Sequence, residues 1–184
     1  RFVELGVPLS MAELEKRLDD PALKRVYDWS AEMSRRIAEI PEMPVFEEVF
    51  QGLEKIRECS DAIVVSQTTE EALVREWNHA GLTKFVDVIA GAELGSKAES
   101  LRTAMEGRYA PEKILMIGDA PGDLQAAREA GCLFFPIIPG SENASWVELY
   151  EQGLAKVQDG SFLGDYQDDL IERFNAVLTE TFSG

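Results

Sequence analysis

The sequence predicts an open α/β fold built on a parallel sheet and preceded by a small helical segment. Three observations carry that expectation. From Ala62 onward, short apolar runs alternate with amphipathic stretches in strand and helix order. Capping spacings and glycines punctuate the helices between them. From about Ser10 to Ile40 the apolar residues have helical period.

Taken in order, Ser10 to Ile40 predicts two or three antiparallel helices, because Leu14 and Leu18 pair and Val26, Trp29, Met33, Ile37 and Ile40 recur at steps of three and four. Pro41 and Pro44 end that pattern, and an amphipathic segment follows around Val45, Val49, Leu53 and Ile56. The run Ala-Ile-Val-Val from Ala62 lacks alternation, which predicts a parallel strand buried on both faces. Thr68 and Glu71 have capping-box spacing for a helix that stops at Gly81. Three further strands are predicted: Val86 to Ala90, followed by a helix over Ser96 to Glu106; Lys113 to Ile117, followed by a helix over Gly122 to Ala130; and Cys132 to Phe135, which enters a Pro/Gly loop. Two C-terminal helices close the chain, carrying Trp146, Leu149, Tyr150, Leu154 and Val157, then Tyr166, Leu170, Phe174 and Val177. At that spacing these stripes belong to a core or to a subunit contact, so a homo-oligomer stays open. The division expected is a helical part over residues 1–44 and an α/β core over residues 45–184.

Composition narrows the function. The 184 residues are 45% hydrophobic and carry a formal charge of −16 spread along the chain, which speaks for a globular protein and against a nucleic-acid backbone as partner. No apolar run approaches the roughly 20 residues of a membrane span. Two cysteines, Cys59 and Cys132, are too few for a disulfide framework, so reduced thiols and a cytoplasmic location are expected. The chain opens on Arg1 rather than Met, and a segment upstream of it is expected.

In open α/β sheets ligands bind beyond the carboxyl ends of the strands, and three sets of polar residues stand there. Ser66 follows Ile-Val-Val, with Gln67 beside it. Its hydroxyl either caps the next helix or bonds an anion. Lys97 falls in the first turn of a helix opened by Ser96 and Glu99, where the macrodipole disfavours a cation. It either reaches into solvent or faces a bound anion and a carboxylate. Asp119 follows Leu-Met-Ile-Gly, and Asp123 comes one turn later. The two acids either cap and complement the helix or converge on a hard cation such as Mg2+, which needs only one or two protein carboxylates beside waters and a phosphate. His79, the single histidine, sits near a helix end as an ordinary polar residue. No P-loop, dinucleotide loop, Cys/His metal cluster or nucleophile elbow is present.

The order Ser66, Lys97, then Gly118-Asp119 with Asp123 resembles the second, third and fourth motifs of the haloacid dehalogenase-like superfamily, over about Val45 to Gly140. The resemblance implies a three-layer, Rossmann-like sheet, with the helices before Pro41 as part of a small helical cap that sets specificity. It also implies a Mg2+-dependent phosphatase for a small-molecule phosphate ester. Ser66 would bond a phosphoryl oxygen and Lys97 would neutralise phosphate and nucleophile; Asp119 would bind the metal, and Asp123 would hold it directly or through water. Gln67 is an unusual neighbour for the family and would adjust substrate contacts. The acidic pair favours a phosphatase over a dehalogenase, which needs no metal. The family's attacking aspartate lies in a D-x-D-x-T motif on the central strand, and no D-x-D triplet occurs in these residues. Nucleophile and strand are therefore expected upstream of Arg1; the alternative is a catalytically silent phosphate- and metal-binding protein.

Overall fold

A computed structural model describes residues 11–39 and 44–181, so the readings placed on Ser10, Ile40 and Pro41 lie outside the described residues. The chain divides into two compact units, Arg1–Pro44 and Val45–Gly184.

In the first unit, α1 (Met11–Glu15) is followed by α2 (Pro21–Ala38). Asp20 opens α2 by accepting from the Ala22 amide at 2.9 Å, and Pro21 occupies the first turn, where its missing N–H costs nothing. Arg17, Lys24, Arg35 and Arg36 all pair with acids three or four residues away, as solvated helix faces do. The stripe Val26, Trp29, Met33 and Ile37 falls on α2, the helix that its spacing predicts, and its side chains are exposed.

The second unit opens with α3 (Glu47–Cys59), which buries Val49, Leu53 and Ile56. β1 (Ile63–Val65) pairs in parallel with β2 (Val88–Ala90), Ile63 against Val88. β3 (Leu115–Gly118) pairs in parallel with β4 (Leu133–Pro136), Leu115 against Leu133. Among the described residues no strand joins these two pairs into one sheet. Between the strands lie α4 (Glu70–His79), α5 (Lys97–Met105) and α6 (Pro121–Ala130). After β4 come α7 (Glu142–Glu148), a π turn over Leu149–Gly153, α8 (Leu154–Asp159) and α9 (Asp165–Thr181).

The layering follows from strand period. Side chains alternate across a strand, so Phe134 enters one buried cluster with Ala98, Leu101, Leu124 and Phe174, while Phe135 enters the other with Val49, Leu53, Leu149 and Phe162. Two apolar layers on opposite faces of one strand make a three-layer α/β fold. The C-terminal stripes supply core: Leu149, Leu170 and Phe174 are fully buried.

Two local expectations are corrected. β1 is not buried on both faces, since Ile63 is exposed and Val64 and Val65 only half-buried. With β2 as its one strand neighbour, apolar composition alone does not bury it. The Thr68 and Glu71 box does not form either. Thr69 is the N-cap of α4, and the acceptor for the Glu70 amide is the Glu93 carboxylate at 3.1 Å, from the loop after β2. Gly91 permits that approach, because a Cβ there would lie 2.3 Å from the Glu70 nitrogen. No described helix is long and apolar enough to cross a membrane.

Candidate functional site

The site forms where the loops after β2 and β3 open α5 and α6. The capping box predicted for α5 is present: the Ser96 hydroxyl accepts from the Glu99 amide at 3.2 Å, and the Glu99 carboxylate accepts from the Ser96 amide at 2.8 Å. Hydrogen bonds from the Ser96 amide and hydroxyl hold the Glu99 carboxyl below its ordinary value. Lys97 is thereby fixed as the first residue of α5.

Its ammonium bonds Asp123 Oδ1. The other oxygen of that carboxylate accepts from the backbone amides of Asp119 at 3.2 Å and Ala120 at 3.1 Å. Asp123 is 3% exposed, so these partners are what make its burial affordable. Lys97 keeps a quarter of its side chain in solvent. Gly118, the last residue of β3, is demanded by the same arrangement: a Cβ there would lie 2.4 Å from the Asp123 Cβ and 2.5 Å from Oδ2. Sequence reasoning treated Gly118 only as part of a motif, and the signal for its role is a glycine at a strand exit five residues before a buried acid.

The structure brings Lys97 and Asp123 into contact and puts Asp119 on the same loop with its side chain exposed. Ser66 stands at the end of β1, half-buried, its amide bonded to the Ala90 carbonyl at 3.0 Å and its hydroxyl oxygen accepting from the Thr68 amide at 3.1 Å. Ser66 makes no hydrogen bond with Lys97 or the acids among the described residues, and its hydroxyl closes a local turn onto Thr68 rather than capping α4, whose N-cap is Thr69. Gln67 reaches the Gly95 carbonyl at 3.4 Å and, with Ser96 and Lys97, lines a pocket of about 290 Å³ whose other wall is Gly122, Gln125, Ala126 and Glu129 of α6. Those α6 residues recur at three and four, a spacing that marks one helix face, and sequence reasoning passed over them.

Residues 4–137, well over half of the chain, match the family model described as haloacid dehalogenase-like hydrolase. The chain belongs to that family. No curated protein matches it. In this haloacid dehalogenase-like hydrolase, no group of three or more His, Cys, Asp or Glu stands ready to enclose a metal among the described residues. A Mg2+ ion does not require one, since it keeps most of its waters and takes one or two carboxylates. Asp119 fits that role with an exposed carboxylate, whereas both oxygens of Asp123 are engaged, by Lys97 and by two amides.

Proposed function

We propose that this protein is a Mg2+-dependent phosphohydrolase acting on a small phosphate ester through an aspartyl-phosphate intermediate. The observation that carries the reading is the contact of Lys97, from the first turn of α5, with Asp123, from the first turn of α6, beside the exposed Asp119. A cation and acids gathered beyond the strand ends suit a transition state whose charge spreads over the phosphoryl oxygens.

Lys97 attracts the phosphate, its remaining exposure leaving two ammonium hydrogens for substrate. Asp123, held by Lys97 and the two amides, fixes that ammonium and the turn that presents Asp119. Asp119 holds the metal, which when bound supplies charge neutralisation to the phosphate. Because the Ser66 oxygen already accepts from Thr68, its O–H is free to donate to a phosphoryl oxygen. Gln67 trims the substrate pocket, and the helices of residues 1–44 act as part of a cap. The attacking carboxylate is not among these 184 residues and in this reading is supplied from outside them, with a second acid; the carboxylate bonds phosphorus as the ester oxygen leaves with the proton of that acid, which then takes a proton from the water that releases inorganic phosphate and restores the carboxylate.

A second reading, a catalytically silent binding protein, is favoured by one fact: no D-x-D triplet occurs in the 184 residues. Turnover of p-nitrophenyl phosphate by the full gene product, with and without Mg2+, separates the two. Metal-dependent turnover that falls at least tenfold in Lys97→Ala is the expected result, and no turnover of several esters by the full product overturns the enzyme reading.

A further inference from the structure

The loops that follow β1 and β2 are fastened to each other beyond the ends of their strands. The ladder finishes where the Ser66 amide donates to the Ala90 carbonyl at 3.0 Å. Past it, the Ala92 amide donates to the Thr68 carbonyl at 2.9 Å and the Glu70 amide donates to the Glu93 carboxylate at 3.1 Å. The Gln67 side-chain amide reaches the Gly95 carbonyl at 3.4 Å. The first loop carries Ser66. The second makes a short turn over Ala92–Leu94 and runs directly into Ser96 and Lys97 at the start of α5.

The bond to Glu93 is the charged member of this set. Thr69, the N-cap of α4, makes no side-chain bond to its own helix, so the first amide of α4 finds its acceptor on the other loop. A carboxylate at a helix N-terminus is favoured by the dipole and accepts more strongly than a neutral group. Buried Gly91 makes room for it: a Cβ there would lie 2.3 Å from the Glu70 nitrogen and 2.5 Å from the Glu93 carboxylate. β1 and β2 are only three residues each, and β1 has no described strand on its other edge, so the ladder by itself holds the Ser66 turn weakly.

We propose that Glu93 is a positioning residue: by accepting from the Glu70 amide across Gly91, it locks the Ser66 turn onto the loop that opens α5, so that the Ser66 hydroxyl and the Lys97 ammonium are held for one phosphate. Glu93 itself touches no substrate. The inference rests on the phosphate-binding roles given above to Ser66 and Lys97 and on no step of the covalent chemistry. Its sign separates it from a charge effect. Removing a carboxylate near an anion site would by charge alone tighten phosphate binding, whereas losing the lock weakens it.

Calorimetric titration of inorganic phosphate into the full gene product, with Mg2+ present, tests this at a temperature where each variant keeps the parent's near-ultraviolet circular dichroism. Glu93→Ala is expected to weaken phosphate binding about tenfold. Glu93→Gln, whose side-chain oxygen still accepts from the Glu70 amide, stays within about twofold of the parent. Gly91→Ala forces the two loops apart with the carboxylate intact and reproduces the Glu93→Ala defect, and the two substitutions together add little to either alone. Phosphate binding that is unchanged or tighter in Glu93→Ala overturns the proposal, as does a Glu93→Gln variant as weak as the alanine one. Phosphate bound by no form of the protein overturns it together with the roles it rests on. The expected pattern without turnover of any ester upholds the lock and removes the enzyme reading alone.

Discussion

The two strand pairs of the core begin from similar sequences and end in different environments. β4 reads Leu-Phe-Phe-Pro and is buried at every position, whereas β1 reads Ile-Val-Val with Ile63 exposed and its partner Val88 50% exposed. The difference lies in what surrounds each pair. β4 touches α6 and α9, and its outward-facing Phe134 amide is satisfied by the Gln167 side chain of α9 at 2.9 Å. That side chain closes a sheet edge that would otherwise stay open. β1 has β2 on one edge and no described strand on the other. An apolar run marks a strand, but its burial is decided by elements distant in the chain.

The largest test of this contrast is Phe134→Ala, which removes a ring packed against Phe174 at 5.9 Å between centroids and costs about 3–5 kcal/mol in a denaturant titration. Val88→Ala in the other pair stays within about 0.5 kcal/mol, and equal costs would erase the distinction. The Lys97 and Asp123 pair ties the first turn of α5, which follows β2, to the first turn of α6, which follows β3, so it bridges the two halves. Asp123→Ala leaves a lysine and two amides without their acceptor and costs about 2–3 kcal/mol. Gly118→Ala, which drives a methyl into Asp123, costs about 1–3 kcal/mol and disturbs the same bridge from the β3 side. Smallest is Ser96→Ala, at about 1 kcal/mol for the lost cap of α5. The Glu99 half of that cap has a pH signature. Its folded carboxyl titrates below the ordinary 4.5, so its stabilisation is present above that value and fades as pH falls through the lower folded value. Glu99→Gln flattens that part of the acid-unfolding curve.

The parts of the fold legible in sequence were those set locally. The Ser96 and Glu99 box was read from spacing and is present, and Gly81, with φ of +70°, follows the end of α4 as a glycine stop should. All four strands were found because short unalternating apolar runs between helical segments have few other readings. Thr68 and Glu71 misled because the acceptor for the Glu70 amide, the first of α4, is Glu93, twenty-three residues away, and local spacing carries no trace of it. The α2 stripe marks the same boundary from the other side: its period revealed the helix, but helical period says only that a face is apolar and not what covers it. Within the site, residue types and order drew attention to Ser66, Lys97, Asp119 and Asp123. They did not reveal that Asp123 spends both oxygens on Lys97 and backbone amides while Asp119 stands exposed, because that division depends on two loops meeting in space.

The most direct test of the site is calorimetric titration of Mg2+ into the chain in the presence of inorganic phosphate, compared with Asp119→Asn. Binding that weakens at least tenfold in the variant, with the folded spectrum unchanged, is the result predicted by an Asp119 metal ligand beside the Lys97 and Asp123 pair. Equal binding by both proteins, or none by either, would contradict it.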